Sequence, residues 1–435
     1  MPFSLHNLPG AGPRPGPRQT IVLLAGLMAL NAFAIDAMIP ALPSIGSDLH
    51  VLNDNDRQLV VVAYMVGFGS TQLIWGPLAD RFGRKPILAA GVGLYAFFAV
   101  LCAIAGSFAL LVAGRAAMGA SAAVTRVLVI AMVRDLFEGE AMARVMSLVF
   151  MVFMVVPVLA PSVGQGILLF GPWRAIFLVL AGYGLIMLTW SWLGLPETLH
   201  PEYRRTLAPR DILSAAVETI REPLSRGYTL ALTVTFGALI AYISTIQQIV
   251  FDVFKAPGAI GLVFGAVAAP MALASWTNAK VVGRYGLRRV GHGGALAFAV
   301  VTVIHALIGS AGLESLTTFI IFQALAMVCF SFCSSNLGTL AMERMGPIAG
   351  TASSVQGVVG TIGGSAVGYT IGQAYDGTAL PFLWGTAACA MITFVLTILT
   401  ESAPSNSRRQ KAVAEIASAV HRYLAGGNRE EKQHE

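Results

Sequence analysis

The chain has 435 residues, of which 56% are hydrophobic and only 11% charged, against about 25% charged in an ordinary soluble domain. That balance excludes a water-soluble globular protein. The net charge of +6 is accounted for below by loops at a membrane surface, so no nucleic-acid partner is implied.

Runs of about twenty mostly apolar residues recur along nearly the whole length, each enough to cross about 30 Å of hydrocarbon as a helix. Twelve are expected, centred near Met28, Met65, Ala96, Ser121, Met154, Leu185, Ala238, Ala268, Thr302, Ala326, Gly360 and Met391. The first follows the Pro/Gly-rich stretch Pro9 to Pro17, has no small-residue cleavage site and holds Asp36. It therefore reads as a retained span, not a secretory peptide.

The expected class is an all-α integral membrane protein with two six-helix halves. Its divisions are a cytoplasmic segment 1–19, a first half 20–196, a cytoplasmic linker 197–227, a second half 228–400 and a cytoplasmic tail 401–435. With the amino terminus inside, the outer loops hold only Arg57, Arg174 and Lys255, Arg115 and Arg126 fall within a span, and the rest of the 28 basic residues lie inside. That bias predicts an inner-membrane protein with both termini cytoplasmic.

In the first span, Asp36 is the only acidic residue placed within hydrocarbon. A carboxylate there costs several kcal/mol unless it is paired, hydrated or protonated. A group that is charged in one surrounding and neutral in another is what reversible proton binding requires. A protonation site is favoured over a structural, hydrogen-bonded acid.

After the second span comes Gly76-Pro-Leu-Ala-Asp80-Arg81-Phe-Gly83-Arg84-Lys85. A tight cytoplasmic turn is expected, with Gly76 for close helix approach, Gly83 for the turn and Asp80 accepting from a helix amino terminus or an arginine. A conformational latch of Gly76, Asp80, Arg81, Gly83 and Arg84 is favoured over a charged stop-transfer turn, which needs only basic residues.

In the fourth span Arg115 lies, like Asp36, roughly 10 Å below the outer surface, so the two are placed to meet. Arg126 shares its face about 16 Å deeper. Either this stripe lines a watery or buried path, or Arg126 snorkels toward the cytoplasm. In the fifth span Pro157 and Pro161, with Gly164 and Gly166, predict a kinked and closely packed helix, a hinge or simply a packed element.

The linker carries Ile212, Ala215, Ala216 and Ile220 on one helical face, suited to a membrane surface. The loop after the eighth span, from Asn278 to Arg289, is a degenerate echo of the first basic loop and points to internal duplication. His305 reads as a structural residue near the middle of the ninth span. Gly360, Gly364, Gly368 and Gly372 form a smooth packing face in the eleventh. In the tail, Val413, Ile416, Val420 and Leu424 are spaced as on a surface helix.

Cys102, Cys329, Cys333 and Cys389 all lie in apolar segments and read as core residues. No metal or other cofactor is expected, and no phosphate loop, HExxH pair or GxSxG elbow points to an enzyme. Asn31, Tyr64, Arg126, Gln247, Gln248 and Asn336 are candidate cavity-lining residues.

The motifs resemble the drug:proton antiporter group of the major facilitator superfamily, nearest to the bicyclomycin/chloramphenicol-resistance (Bcr/CflA-like) multidrug efflux transporters. The resemblance rests on Ile35-Asp36 before Pro40-Ala41-Leu42-Pro43, the Gly76–Lys85 loop, Arg115 with Gly119, Arg134-Asp135-Leu136-Phe137, Ala160-Pro161 with Gly164, and Trp173-Arg174 before Phe177. It implies proton coupling at Asp36, a proton-linked charge role for Arg115 and an antiporter hinge at Pro157, Pro161 and Gly164. It also implies small amphipathic drug-like substrates, protons and membrane lipid as partners, and a monomer. Met118, Ala160 and Gln165 depart from the residues usual there, which bears on substrate range. The alternative is a metabolite transporter on the same scaffold. One embedded acid against two embedded arginines favours neutral or anionic substrates over lipophilic cations.

Overall fold

Backbone surrounded by hydrocarbon must satisfy its own polar groups, which drives long apolar runs into helices. The computed structural model describes residues 16–402 apart from 201 and 203–208. The leading stretch before residue 16 and the stripe Val413, Ile416, Val420 and Leu424 lie outside the described residues.

The helices are α1 (Pro17–Asp36), α2 (Leu42–Asp48), α3 (Leu59–Phe82), α4 (Arg84–Ala103), α5 (Phe108–Leu136), α6 (Gly139–Phe170) and α7 (Arg174–Gly194), then α8 (Pro209–Arg221) in the linker. The second set is α9 (Pro223–Gln248), α10 (Ile260–Tyr285), α11 (Leu287–Ser310), α12 (Leu316–Ala341), α13 (Ala349–Gln373) and α14 (Leu380–Ser402). Among the described residues, 10 spans are long and apolar enough to cross a membrane. α6 adds the shorter apolar stretch Val156–Phe170. α13 is diluted by glycine and serine along its length.

The first apolar span runs from Arg18 to Asp48 and is broken inside. Asp36, expected roughly 10 Å short of the outer end of a continuous span, is instead the last residue of α1. A short turn, Ile39–Ala41, follows and leads into α2. Pro40 and Pro43 lack the N–H groups that would continue α1's ladder.

The halves repeat one packing pattern. α1 packs on α6, α3 on α5 and α4 on α7 in the first half, as α9 packs on α13, α10 on α12 and α11 on α14 in the second. α3 meets α13 and α6 meets α10 where the halves join. The two basic loops prove equivalent in backbone: Gly83, between α3 and α4, has φ 105°, and Gly286, between α10 and α11, has φ 84°. Both angles lie in the left-handed region that side chains with a Cβ avoid.

Three expectations need correction. The signature is not a loop, because Gly76, Asp80 and Arg81 all belong to α3 and Gly83 alone makes the turn. Nor is Gly76 pinched, since a Cβ there would meet Val127 at an ordinary 3.7 Å. The exposed apolar face of α8 is Leu213, Val217 and Ile220, whereas Ala215 is buried, and Ile212's side chain is outside what the structure describes.

Glycine spacing also sorts itself by contact. Gly364 and Gly368 press on α9 at Phe236 and Ile240, and Gly372 presses on Gln58, but Gly360 faces open space. In α6 the ladder continues through Pro157 and Pro161. Gly164 there is closely packed and Gly166 is not.

Candidate functional site

At the linker end of the bundle, Arg84 binds Asp80 at 2.6 Å and Asp135 at 3.3 Å. The amino terminus of α4 is capped not by Asp80 but by Glu197, which accepts from the backbone N–H groups of Arg84 at 2.9 Å and Lys85 at 3.2 Å. The second half repeats the device, with Arg288 bound to Glu343 at 2.7 Å and Glu401 at 2.8 Å. Arg84 and Glu197 are 113 residues apart in sequence, as are Arg288 and Glu401. Each network therefore closes within its own half.

Arg115, fully buried in α5, does not pair with Asp36. Its Nε–H donates to the Val60 carbonyl at 2.9 Å, and its guanidinium lies 4.4 Å from the Tyr64 ring and 5.9 Å from that of Phe177. Aromatic faces and a carbonyl thus replace the carboxylate expected as partner. Tyr64 Oη donates to Asn31 Oδ1 at 3.1 Å, and Asn31 Nδ2 donates to Thr125 Oγ1 at 2.6 Å. A polar thread therefore joins α5, α3 and α1. Asn31 and Tyr64 are spent on it, at 1% and 0% exposure, rather than facing open space.

Asp36 lies at the seam between the halves, 3% exposed. Its Oδ1 is buried with no hydrogen-bond partner among the described residues. Ile39, three residues on, packs with Tyr242, Ile246 and Ala238 of the second half. Tyr242 is near enough to interact electrostatically with Asp36, and its own hydroxyl is likewise buried without a partner. Across from these, Gly164 of α6 presses against the carbonyl of Ala37.

Beyond Asp36, at the end remote from the linker, amides bridge the halves. Gln58 Nε2 donates to Gln248 Oε1 at 2.7 Å and to the Gly372 carbonyl at 3.0 Å. Gln248 Nε2 donates to Asn55 Oδ1 at 2.9 Å, and Asn55 Nδ2 donates to the carbonyls of Gln373 at 3.2 Å and Tyr375 at 2.9 Å. Gln373 Nε2 returns a bond to the Asn55 carbonyl at 2.9 Å. Burial, then Asp252 and Asp376, push the Tyr375 phenol up to about 12, so it stays neutral beside this lattice. Gln248 closes α9, and a single wide turn, Ile249–Val253, follows it.

The sequence pattern of the Major Facilitator Superfamily matches residues 24–368. The chain belongs to that superfamily. A bicyclomycin resistance protein homolog of Haemophilus influenzae is 30% identical over 396 residues, covering 89% of this chain and 97% of the relative. A multidrug resistance protein, MdtL, of Escherichia coli O45:K1 is 35% identical over 174 residues, covering 40% of this chain and 44% of the relative. The Escherichia coli xylose transporter XylE superposes with a TM-score of 0.69 at 14% identity, covering 89% of this chain and 98% of that one, a likeness of fold alone.

The remaining candidates of this major facilitator transporter separate by partner. Gln248 is built into the lattice, and Gln247 is buried with an unpartnered Nε2. Asn336 donates to Asn278 Oδ1 at 2.8 Å and to the Phe332 carbonyl at 2.7 Å, which ties α12 to α10. Arg126 is half-buried on α5, next to the thread that ends at Thr125. His305 is not mid-span but five residues from the end of α11, and it has a partner, Glu314, at 3.1 Å. Nine residues and a chain reversal separate that pair, which hid it from helical spacing.

Gln58 is the hub of the lattice. Gln58→Ala removes both bridges and leaves Gln248 and the Gly372 carbonyl under-satisfied, a loss of about 1–3 kcal/mol. That energy corresponds to roughly a 5- to 150-fold shift toward separation at this end. Thiol labelling of a cysteine placed at the buried Val250, with the native cysteines replaced by alanine, is expected to accelerate accordingly. An unchanged rate would show that the lattice does not hold this end shut.

Proposed function

We propose that the chain is a proton-coupled antiporter that exports small amphipathic drug-like molecules across the inner membrane by alternating access, with Asp36 carrying the proton. The observation that carries this reading is the buried carboxylate at the seam between the halves, with Oδ1 left without a partner. A proton supplies what the neighbourhood withholds, turning a costly buried charge into a neutral group. The names of the relatives, bicyclomycin resistance and multidrug resistance, support drugs as cargo.

The basic bias of the linker end makes it the cytoplasmic side. The amide lattice then closes the outer side, about 9 Å beyond Asp36 if measured along α9 from Tyr242 to Gln248. This is an inward-facing arrangement: Asp36 would release its proton toward the cytoplasm as cargo loads, and take one up once the lattice opens. The signature network holds each half together at the inner end, and its latch role belongs to the opposite, outward-facing state. Arg115, held among Val60, Tyr64 and Phe177, gives the interior of the first half a positive charge that does not neutralise Asp36. Pro157, Pro161 and Gly164 set α6 against the segment that follows Asp36.

Arg126 adds an embedded cation on α5, with no ion pair among the described residues. Neutral and anionic cargo is therefore expected to be preferred over lipophilic cations. Vesicles containing the purified protein and an imposed pH gradient provide the test. Phenicol-like neutral compounds should dissipate the gradient, and ethidium-like cations should not. Dissipation by cations alone would overturn the cargo assignment, and export that ignores the gradient would overturn the coupling.

A further inference from the structure

On the surface of the second half, at the linker end, a groove of about 380 Å³ opens between α10, α11 and α12. Its wall is apolar, made by Val281, Val290, Ala297, Cys329 and Phe332, and Gly293 forms part of its floor. A Cβ at Gly293 would meet nothing within 4 Å, so the groove is real space rather than slack packing. From Arg289 to Ala297 it runs about 12 Å along α11, close to the depth of one leaflet's hydrocarbon.

The mouth is basic. Arg289 and the exposed Tyr285 line both this groove and a second recess beside it, next to Arg288 and Glu343. Arg288 is consumed by Glu343 and Glu401. Arg289 is exposed and forms no ion pair among the described residues. Lys280 lies 4.4 Å from the ring of Trp276, an exposed aromatic of the kind that sits at a membrane interface, and Arg284 lies 5.5 Å from Tyr285.

We infer that this groove is a binding site for one anionic phospholipid, its phosphate held at Arg289 and one acyl chain laid along Gly293 and Ala297. A slot that is apolar at membrane depth and cationic at its rim matches both parts of such a lipid. The chain's own tail is the weaker occupant: residues 403–435 carry more basic than acidic side chains and would be repelled by the same rim.

The full-length protein in mild detergent, titrated with phosphatidylglycerol or phosphatidylethanolamine and followed by native mass spectrometry, tests this. The wild type should retain one phosphatidylglycerol in preference to phosphatidylethanolamine. Arg289→Gln should cut that preference about fivefold, the worth of one basic residue near a charged lipid, and Arg289→Lys should keep it. Gly293→Leu, which fills the slot without touching the rim and raises helix propensity, should abolish retention while the protein stays folded. Equal retention by wild type, Arg289→Gln and Gly293→Leu overturns the site. Loss on Arg289→Gln without loss on Gly293→Leu reduces it to surface attraction and overturns it as well. So does a cross-link between Cys329 and a cysteine at Val420, which would place the tail in the groove.

Discussion

Asp36→Asn is expected to abolish export driven by a pH gradient, by at least about 100-fold, while exchange of cargo without a gradient survives. The substitution preserves shape and replaces a carboxylate, which can take and release a proton, with an amide, which cannot. Because Asp36 is buried at the seam, a permanently neutral side chain there is compatible with the closed packing, so the protein should fold and bind cargo. The new amide brings donors into a site already short of partners, a cost of about 1–3 kcal/mol at most. Substrate-dependent dissipation of the gradient and radiolabelled counterflow, measured on one preparation, separate the two functions. Gradient dissipation that persists in the variant would remove Asp36 from its role.

Gly164→Ala is the second large effect. The added methyl would fall far inside contact distance of the Ala37 carbonyl, and backbone lies on both sides of that approach. Neither α6 nor the turn after Asp36 can yield by rotating a side chain, so about 3 kcal/mol or more of stability should be lost. Gly166→Ala, two residues along the same helix, meets nothing within 4 Å and should be neutral or stabilising by about 0.5–1 kcal/mol. Thermal unfolding of the two purified variants distinguishes them. Equal midpoints would show that the α6 approach is looser than the packing implies.

These two glycines illustrate what the sequence discloses. Composition and span periodicity establish the helical bundle because hydrocarbon leaves a chain few options. Asp36 stands out because an acid in such a run is expensive. Proline and glycine in α6 signal something special, but spacing does not say which glycine is pressed, since that depends on what the neighbouring chain presents. The pairing of Arg115 with Asp36, expected from equal depth, fails for a related reason: depth leaves azimuth open, and the guanidinium turns to Val60, Tyr64 and Phe177.

Asn55 and Gln58 are a different kind of omission. They sit at the start of an apolar run and read as ordinary loop and cap residues, and their partners lie some 190 to 320 residues away in sequence. Amides that join two halves of a duplicated chain leave no local trace. Glu314 escapes notice for a milder reason, being in a turn that folds back over His305.

The two kinds of polar network also impose a schedule on biosynthesis. Asp80, Arg84, Asp135 and Glu197 are all in hand once the ribosome reaches the linker, so the first half can lock its linker end while the rest is still untranslated. The amides of Asn55 and Gln58 must then wait, first for Gln248 at the end of α9 and last for the carbonyls at Gly372, Gln373 and Tyr375. Maturation is thus timed by the last spans: a nascent chain halted before α13 would hold a finished first bundle whose rim remote from the linker is still only partly satisfied.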